Sequence, residues 1–194
     1  MRNAEATRER ILEAAMEEFS TYGVAGARVD RIARKAGCNK NMIYIYFENK
    51  ETLFKTVLQK HLSRVYEDIA LDPEDLPGYA VKVFDFALAN PDLFRLIGWY
   101  NLEQQAVGSL SERAAVQEKK LKTIADAQHA GVVGRTFEPG FLMTAVMAIA
   151  TAWTAINPYG PSYDPDAVSR LDRTREAIAK AVRLLTEGED GRSS

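Results

Sequence analysis

The chain has 194 residues, 46% of them hydrophobic and 27% charged, which is enough apolar material for a sizeable core in one or two domains. A net charge of −2 excludes a polycation that coats nucleic acid along its whole length, and a single cysteine, Cys38, excludes an intramolecular disulfide and fits a reducing cytoplasm. The opening MRNAEATRER lacks an apolar segment and does not read as a secretory leader, and the longest uncharged stretch, Phe141–Ile156, is shorter than the roughly 20 residues of a membrane span, so no membrane partner is expected.

Every clear segment repeats its apolar residues at helical spacing, so the chain is predicted to be all-α with about nine helices. The first runs from about Ala6 to Tyr22, burying Ile11, Leu12, Ala15, Met16 and Phe19, with Gly23 as its stop. A short second helix, VDRIARKA, buries Val29, Ile32, Ala33 and Ala36 and ends at Gly37. Asn39 suits the N-cap of a third helix through Phe47, and Asn49 that of a long fourth with Leu53, Phe54, Val57, Leu58, His61, Leu62, Val65, Tyr66 and Ile69 in register. LDPEDLPG reads as a linker. YAVKVFDFALAN and, after Pro91, DLFRLIGWYNLEQQ form two more helices. Serine-rich VGSLSE opens a charged helix to about His129, AGVVGRTFEPG is a loop, and the uncharged Phe141–Ile156 is a helix that stops before Pro158. NPYGPSYDPD is a long turn, Pro165 to Glu187 a final helix with Val168, Leu171, Ile178, Val182 and Leu185 on one stripe, and GEDGRSS a frayed tail.

The basic charge is local. From Arg28 to Lys50 six bases (Arg28, Arg31, Arg34, Lys35, Lys40, Lys50) face two acids (Asp30, Glu48), a net +4, whereas from Glu51 onward 16 bases face 20 acids. Two short helices joined by a glycine turn within that window form a helix-turn-helix, whose second helix enters a major groove. Ile43 and Phe47 make its inward stripe. Lys40, Asn41 and Tyr44 face outward, where lysine meets phosphate or guanine, asparagine an adenine edge, and a tyrosine hydroxyl a phosphate. Lys50 stands in the first turn of the fourth helix, unfavourable for that helix's dipole, and a phosphate would offset the cost. Ile45 has two readings, a base-methyl contact or packing.

The stretch from Thr7 to Phe54 resembles the tetracycline-repressor (TetR) family of transcription factors. It carries T-R-x-x-I-L-x-A-A-x-x-x-F, I-A-x-x-A-G and Y-x-[HY]-F-x-x-K-E-x-L at the family's spacings, over about a quarter of the chain. The resemblance implies a DNA-binding domain at 1–49 and an effector-binding and dimerisation domain at 50–194, linked by the fourth helix. It implies DNA contacts from Arg28, Asn39, Lys40, Asn41, Met42, Tyr44, Tyr46 and Lys50. Family members usually carry Thr or Ser just before the valine that opens the second helix; here Ala27 and Arg28 stand there. Cys38, Asn41 and Met42 replace valine, a small residue, and Ala, Ser or Thr, so the operator cannot be borrowed from relatives.

The uncharged helix must be covered on all sides, and together with the final helix it is expected to form a dimer interface of Ile149, Trp153, Leu171, Ile178, Val182 and Leu185, the arrangement the resemblance implies for the last two helices. The resemblance also implies an effector pocket in the middle helices. Phe84, Leu88, Trp99, Met143 and Met147 offer adaptable apolar walls, with Glu103 placed to pair with a cationic group. No enzyme constellation emerges: His61 and His129 lack nucleophile or metal partners, there is no glycine-rich phosphate loop, and no Cys/His cluster for zinc, so no cofactor or metal is expected. Cys38 has two readings, a small apolar residue filling a slot in the turn or a redox switch at the reading head. The function expected is a repressor, binding a pseudo-palindromic double-stranded DNA operator as a homodimer and released by a lipophilic small-molecule effector, with a cationic one as a further reading. The competing readings are a helical small-molecule carrier or enzyme with an inert basic turn, and an activator with the same head.

Overall fold

The computed structural model describes residues 2–103 and 111–187. Gln104 and Gln105, the expected helix opening at 107–110 and the tail from 188 lie outside them. The described residues form ten α-helices, two 3-10 turns and no strand, so the fold is all-α. The helices are α1 (Arg2–Gly26), α2 (Val29–Ala36), α3 (Lys40–Phe47), α4 (Lys50–Asp68), α5 (Leu76–Ala89), α6 (Pro91–Leu102), α7 (Ser111–His129), α8 (Pro139–Ala150), α9 (Gly160–Tyr163) and α10 (Leu171–Thr186). No helix among the described residues is long and apolar enough to cross a membrane.

Two compact units emerge. The first combines, among the described residues, 2–65 with 90–103, so α6 joins α1–α3 and most of α4 across a gap in sequence. Its core is the stripe read from periodicity: Ile11, Leu12, Ala15 and Phe19 of α1, Ile32 of α2, Ile43 and Phe47 of α3, and Leu53, Phe54, Val57 and Leu58 of α4 are all buried. Phe19 meets Phe54 edge to face, ring centres 5.2 Å apart. Burying each such side chain contributes about 1.5–3 kcal/mol, which is why the stripe and not helix propensity holds these short helices.

Gly23 does not end α1 outright. It takes φ +66°, breaks the helix axis, and one further turn runs to Gly26. That turn is where α6 seats. Trp99 donates its indole N–H to the Ser20 carbonyl at 3.2 Å. Glu103, just past the end of α6, accepts the N–H groups of Val24 (2.9 Å) and Ala25 (3.1 Å) through one carboxylate oxygen. A Cβ at Gly23 would stand 2.7 Å from the other carboxylate oxygen of Glu103 and 2.8 Å from the Trp99 ring.

The second unit comprises, among the described residues, 66–89 and 111–187. Here α5 packs against α8 and α10, and α7 against α8. The expected linker is largely structured: Asp72 caps a 3-10 turn at Pro73–Asp75, and α5 starts at Leu76, so Pro77 and Gly78 lie in its first turn. The uncharged helix is shorter than its composition predicts. It begins at Pro139 and ends at Ala150: the Thr151 N–H still returns to the Met147 carbonyl at 3.0 Å, but the N–H groups of Ala152 and Thr154 turn to carbonyls three residues back, and the Thr151 and Thr154 hydroxyls add to the Met147 and Thr151 carbonyls at 2.7 and 2.8 Å. The expected turn after Ile156 contains the one-turn α9. The last helix starts at Leu171, six residues later than expected, after a 3-10 turn at Ala167–Ser169 whose Ala167 carbonyl takes the buried Thr174 hydroxyl at 2.8 Å.

Gly37, which closes α2, has nearly the same positive φ as Gly23 but nothing closer than 3.9 Å to a Cβ. Gly37→Ala is therefore expected to cost about 1 kcal/mol, the left-handed strain alone. Gly23→Ala adds a clash with Trp99 and Glu103 and a backbone (φ 66°, ψ −176°) almost confined to glycine, and is expected to cost about 1–3 kcal/mol more. Urea denaturation in a Trp153→Phe background, where Trp99 alone reports, checks the ordering; equal costs would show that the seat of α6 yields freely.

Candidate nucleic-acid interface and effector region

The first and second helices of the reading head are joined without the serine or threonine cap that the resemblance leads one to expect. Arg28 takes the N-cap backbone position of α2 and its side chain makes no cap bond. The cap comes instead from α1. Glu18, 8% exposed, accepts the Arg28 backbone N–H at 2.8 Å and the Arg31 guanidinium at 2.8 Å. Arg31 also bonds the Gly26 carbonyl at 3.0 Å and stacks 4.3 Å over the Tyr22 ring. The hydrogen bond to Glu18 holds the Arg31 guanidinium further into its charged form, against the opposing effect of burial. A buried carboxylate is tolerable because its partners are a backbone donor and a cation together. Sequence reading missed Glu18; the missing cap at position 28 was the signal that some other oxygen had to supply it.

α2 closes at Gly37 (φ 63°), with Gly37 and Cys38 N–H groups returning to Arg34 and Ala33. Cys38 is half-buried, and burial pushes its thiol up while Arg10 opposes, so the thiolate that redox chemistry needs is disfavoured. Asn39 caps α3, its side-chain oxygen accepting the Asn41 N–H at 2.9 Å, and Asn49 caps α4 through Thr52 at 2.7 Å, both as the sequence predicts.

The expected DNA residues divide by where α3 turns them. Arg28, Asn39, Lys40, Asn41 and Tyr44 are exposed, and Met42 is half-buried on a flank. Lys40 pairs with Asp30 of α2 at 3.0 Å, and that hydrogen bond raises its pKa above the ordinary lysine value. Tyr46 is turned back: its hydroxyl donates to the Ala4 carbonyl at 3.2 Å, at the start of α1. Lys50 is also turned back, its ammonium 3.3 Å from the Ala27 carbonyl and 3.5 Å from that of Ala25. It closes the C-terminal end of the turn that Glu103 caps at the other end. Of the six bases in the window, Arg31, Lys35, Lys40 and Lys50 have partners in their own domain.

The expected effector residues belong to different units. Trp99 and Glu103 serve α1 in the first unit, and the Glu103 oxygen expected to meet a cation already accepts two backbone N–H groups. Phe84, Leu88, Met143 and Met147 belong to the second. There Phe84 meets Trp153 edge to face at 6.0 Å. The buried Tyr79 donates to the Met147 sulfur at 3.8 Å and accepts from the Lys120 ammonium at 2.9 Å. A surface groove between α7 and α8, lined by Glu118, Lys119, Leu121 and Pro139 among others, shares no residue with the expected pocket. No group of His, Cys, Asp or Glu that could hold a metal ion occurs among the described residues.

The expected dimer residues are corrected by burial. Ile178 and Val182, 1% and 0% exposed, face inward on α10, which packs along α5, so neither reaches a second chain. Trp153 bonds the Asp164 carbonyl at 3.1 Å as well as stacking on Phe84. Ile149, Leu171 and Leu185 are half-buried. The apolar surface left open lies one face round, at Phe141 and Leu184, both 58% exposed, with Ala148 and Ala177. The stripe that looks most like an interface in sequence is the one the domain uses for itself.

Glu18→Ala is expected to cost about 2–3 kcal/mol, removing a cap and leaving Arg31 without its carboxylate, and Glu18→Gln about half as much, since an amide oxygen still accepts. Adding Arg28→Thr to Glu18→Ala supplies a local cap and is expected to restore about 1 kcal/mol. Urea midpoints of the four proteins decide; no recovery in the double variant would mean that Glu18 acts through Arg31 alone.

Residues 11–57 match the family described as bacterial regulatory proteins, tetR family, and residues 75–183 match the tetracyclin repressor-like C-terminal domain. The chain is 35% identical over 192 residues to the HTH-type transcriptional repressor SCO4008 of Streptomyces coelicolor, across 96% of this chain and 98% of the relative. It is 34% identical over 110 residues to the HTH-type transcriptional repressor NicS of Pseudomonas putida, across 52% and 51% of the two chains. The crystal structure of the transcriptional regulator SCO4942 from Streptomyces coelicolor superposes with a TM-score of 0.78 at 35% identity, covering 93% of this chain and 98% of that one. A helix-turn-helix head with an exposed polar face on α3, and a match to both halves of the family, place this chain in the TetR family of ligand-responsive, DNA-binding transcriptional regulators.

Proposed function

We propose that this regulator is a repressor that binds a pseudo-palindromic operator as a homodimer in the cytoplasm and is released by a lipophilic small molecule. The observation that carries the DNA-binding part is the outward face of α3. Lys40, Asn41 and Tyr44 stand exposed together on one short helix, while Ile43 and Phe47 pin its other side. Arg28 reaches the sugar-phosphate backbone, Lys40 exchanges Asp30 for phosphate or guanine, Asn41 reads an adenine edge and Tyr44 bonds phosphate. Tyr46 and Lys50 hold the head in shape through their carbonyl partners.

Dimerisation is supported by the open apolar positions Phe141, Ala148, Ala177 and Leu184, and by the physics of readout, since one eight-residue helix reads too few bases and two half-sites need two heads. A lipophilic effector is supported by the second unit's Phe84, Leu88, Met143 and Met147, with methionines that adapt to varied shapes. The engagement of Glu103 leaves no acid to argue for a cation, so the effector's charge forms no part of the proposal. Binding would act by shifting the population of heads whose separation fits the two half-sites.

Footprinting on the DNA upstream of the protein's own coding sequence, at several salt concentrations, tests the proposal. A protected pseudo-palindrome is expected, with log affinity falling linearly in log salt. Asn41→Ala and Tyr44→Ala are expected to lose about tenfold in operator affinity at an unchanged melting temperature. Equal affinity for a scrambled duplex would overturn the operator. Asp30→Asn, at an exposed carboxylate, is expected to raise affinity for non-specific DNA by about two- to fivefold at low salt, an advantage that shrinks as salt rises. For the dimer, Phe141→Glu with Leu184→Glu is expected to give monomers in sedimentation velocity that no longer footprint; a persistent dimer would move the interface elsewhere.

A further inference from the structure

The side chain on α3 that the fold uses least is apolar. Ile45 is 73% exposed, the most exposed large hydrophobic residue of the described reading head. At about 100° per residue, its direction is about 160–180° from the buried pair Ile43 and Phe47, so it stands at the crest of the helix, farthest from its own core. Isolated exposed aliphatics are common on protein surfaces. This one differs in position: whatever α3 docks into meets Ile45 first.

Its neighbours say which part of a duplex it meets. On the exposed face, Lys40 and Tyr44 share one edge, offering a cation and a hydroxyl to phosphate. Asn41 and Ile45 share the other, four residues apart, with no cation at any position three or four residues from Ile45. An edge without a cation, with the acid Glu48 three residues beyond Ile45, has little to offer the sugar-phosphate backbone and is suited to base edges. In the major groove the one apolar group that a base pair presents is the C5-methyl of thymine. Met42, the other aliphatic candidate on α3, is half-buried on the flank.

We infer that Ile45 is a specificity-determining residue that packs against a thymine methyl group in each half-site, one helical turn beyond the base edge read by Asn41. This rests on the DNA-binding reading of α3 and deepens it. Burying one methyl is worth about fourfold in affinity, enough to discriminate a base and too little to drive binding.

The experiment removes that methyl alone. The wild-type protein selects its operator from a random duplex library, and each thymine is then replaced in turn by deoxyuridine, symmetrically in both half-sites. Wild type is expected to lose about fourfold per half-site at one position and little elsewhere. Ile45→Ala is expected to bind the parent operator about fourfold or more per half-site weaker, to melt at the wild-type temperature, and to be indifferent to the same replacement. Three results would overturn the assignment: Ile45→Ala binding as tightly as wild type, Ile45→Ala keeping the full wild-type sensitivity to deoxyuridine, or no sensitive thymine at all. A change of oligomeric state in Ile45→Ala with unchanged DNA affinity would overturn it in favour of a protein contact. Failure of the wild type to select any sequence is a different result and removes the operator itself.

Discussion

The reading head depends on one buried carboxylate. Glu18 lies on the inner side of α1, and a charge there is tolerable only if it is fully engaged. Its engagement joins three things that a helix-turn-helix must hold together: the inner side of α1, the N–H of Arg28 at the N-cap of α2, and Arg31, which reaches on to Gly26 and Tyr22. With α2 fixed, the Gly37 turn sets where Asn39 begins α3, and with α3 fixed its outer face is a rigid surface. A cap taken from another helix does more than a local one. It stabilises α2 and also sets the angle at which α2 leaves α1.

The same logic organises the other charges. The window with a net +4 charge looks like a surface built for DNA, yet Arg31, Lys35, Lys40 and Lys50 each have a partner within the head. Some of these are scaffold and others can exchange. Arg31 and Lys50 reach backbone carbonyls of their own domain. Lys40 and Asp30 form an exposed pair, which contributes little to stability and separates at little cost. A duplex approaching this face competes with carboxylates, so loose contact is weakened more than a registered complex. Charge in the window thus serves discrimination as much as attraction.

Much of the fold was legible because its signals are local. The stripe Ile11, Leu12, Ala15, Phe19, the Asn39 and Asn49 caps and the Gly37 stop each need only a few neighbouring residues to be read. The outward set Lys40, Asn41 and Tyr44 followed from the same periodicity. What escaped were interactions made by residues that meet only once the chain has folded. Glu103 looked like a free acid beside an aromatic, and is a cap for Val24 and Ala25. Lys50 looked misplaced at a helix start, and is placed for the carbonyls of Ala25, in the last turn of α1, and of Ala27, just beyond it. The period of the last helix identified its apolar stripe correctly, but period cannot say whether a stripe faces the same chain or a second one; burial of Ile178 and Val182 against α5 decides. The early end of α8 at Ala150, where the N–H groups of Ala152 and Thr154 switch to carbonyls three residues back, is a change of hydrogen-bond pattern that an uncharged composition does not reveal.

The grip of Glu103 and Trp99 on the turn after Gly23 spans 79 residues of sequence. It therefore has a consequence in time as well as space. During synthesis, α1 to α3 leave the ribosome long before α6 exists, and until then the turn at Val24–Gly26 has no carboxylate at its N-terminal end. The head must wait for a distant segment before it is complete, a high-contact-order step in an otherwise local, fast-folding set of helices. A nascent chain cut short ahead of α6 would carry the recognition helix without its finished mounting, so the ability to hold DNA firmly arrives only when the rest of the regulator is already being made.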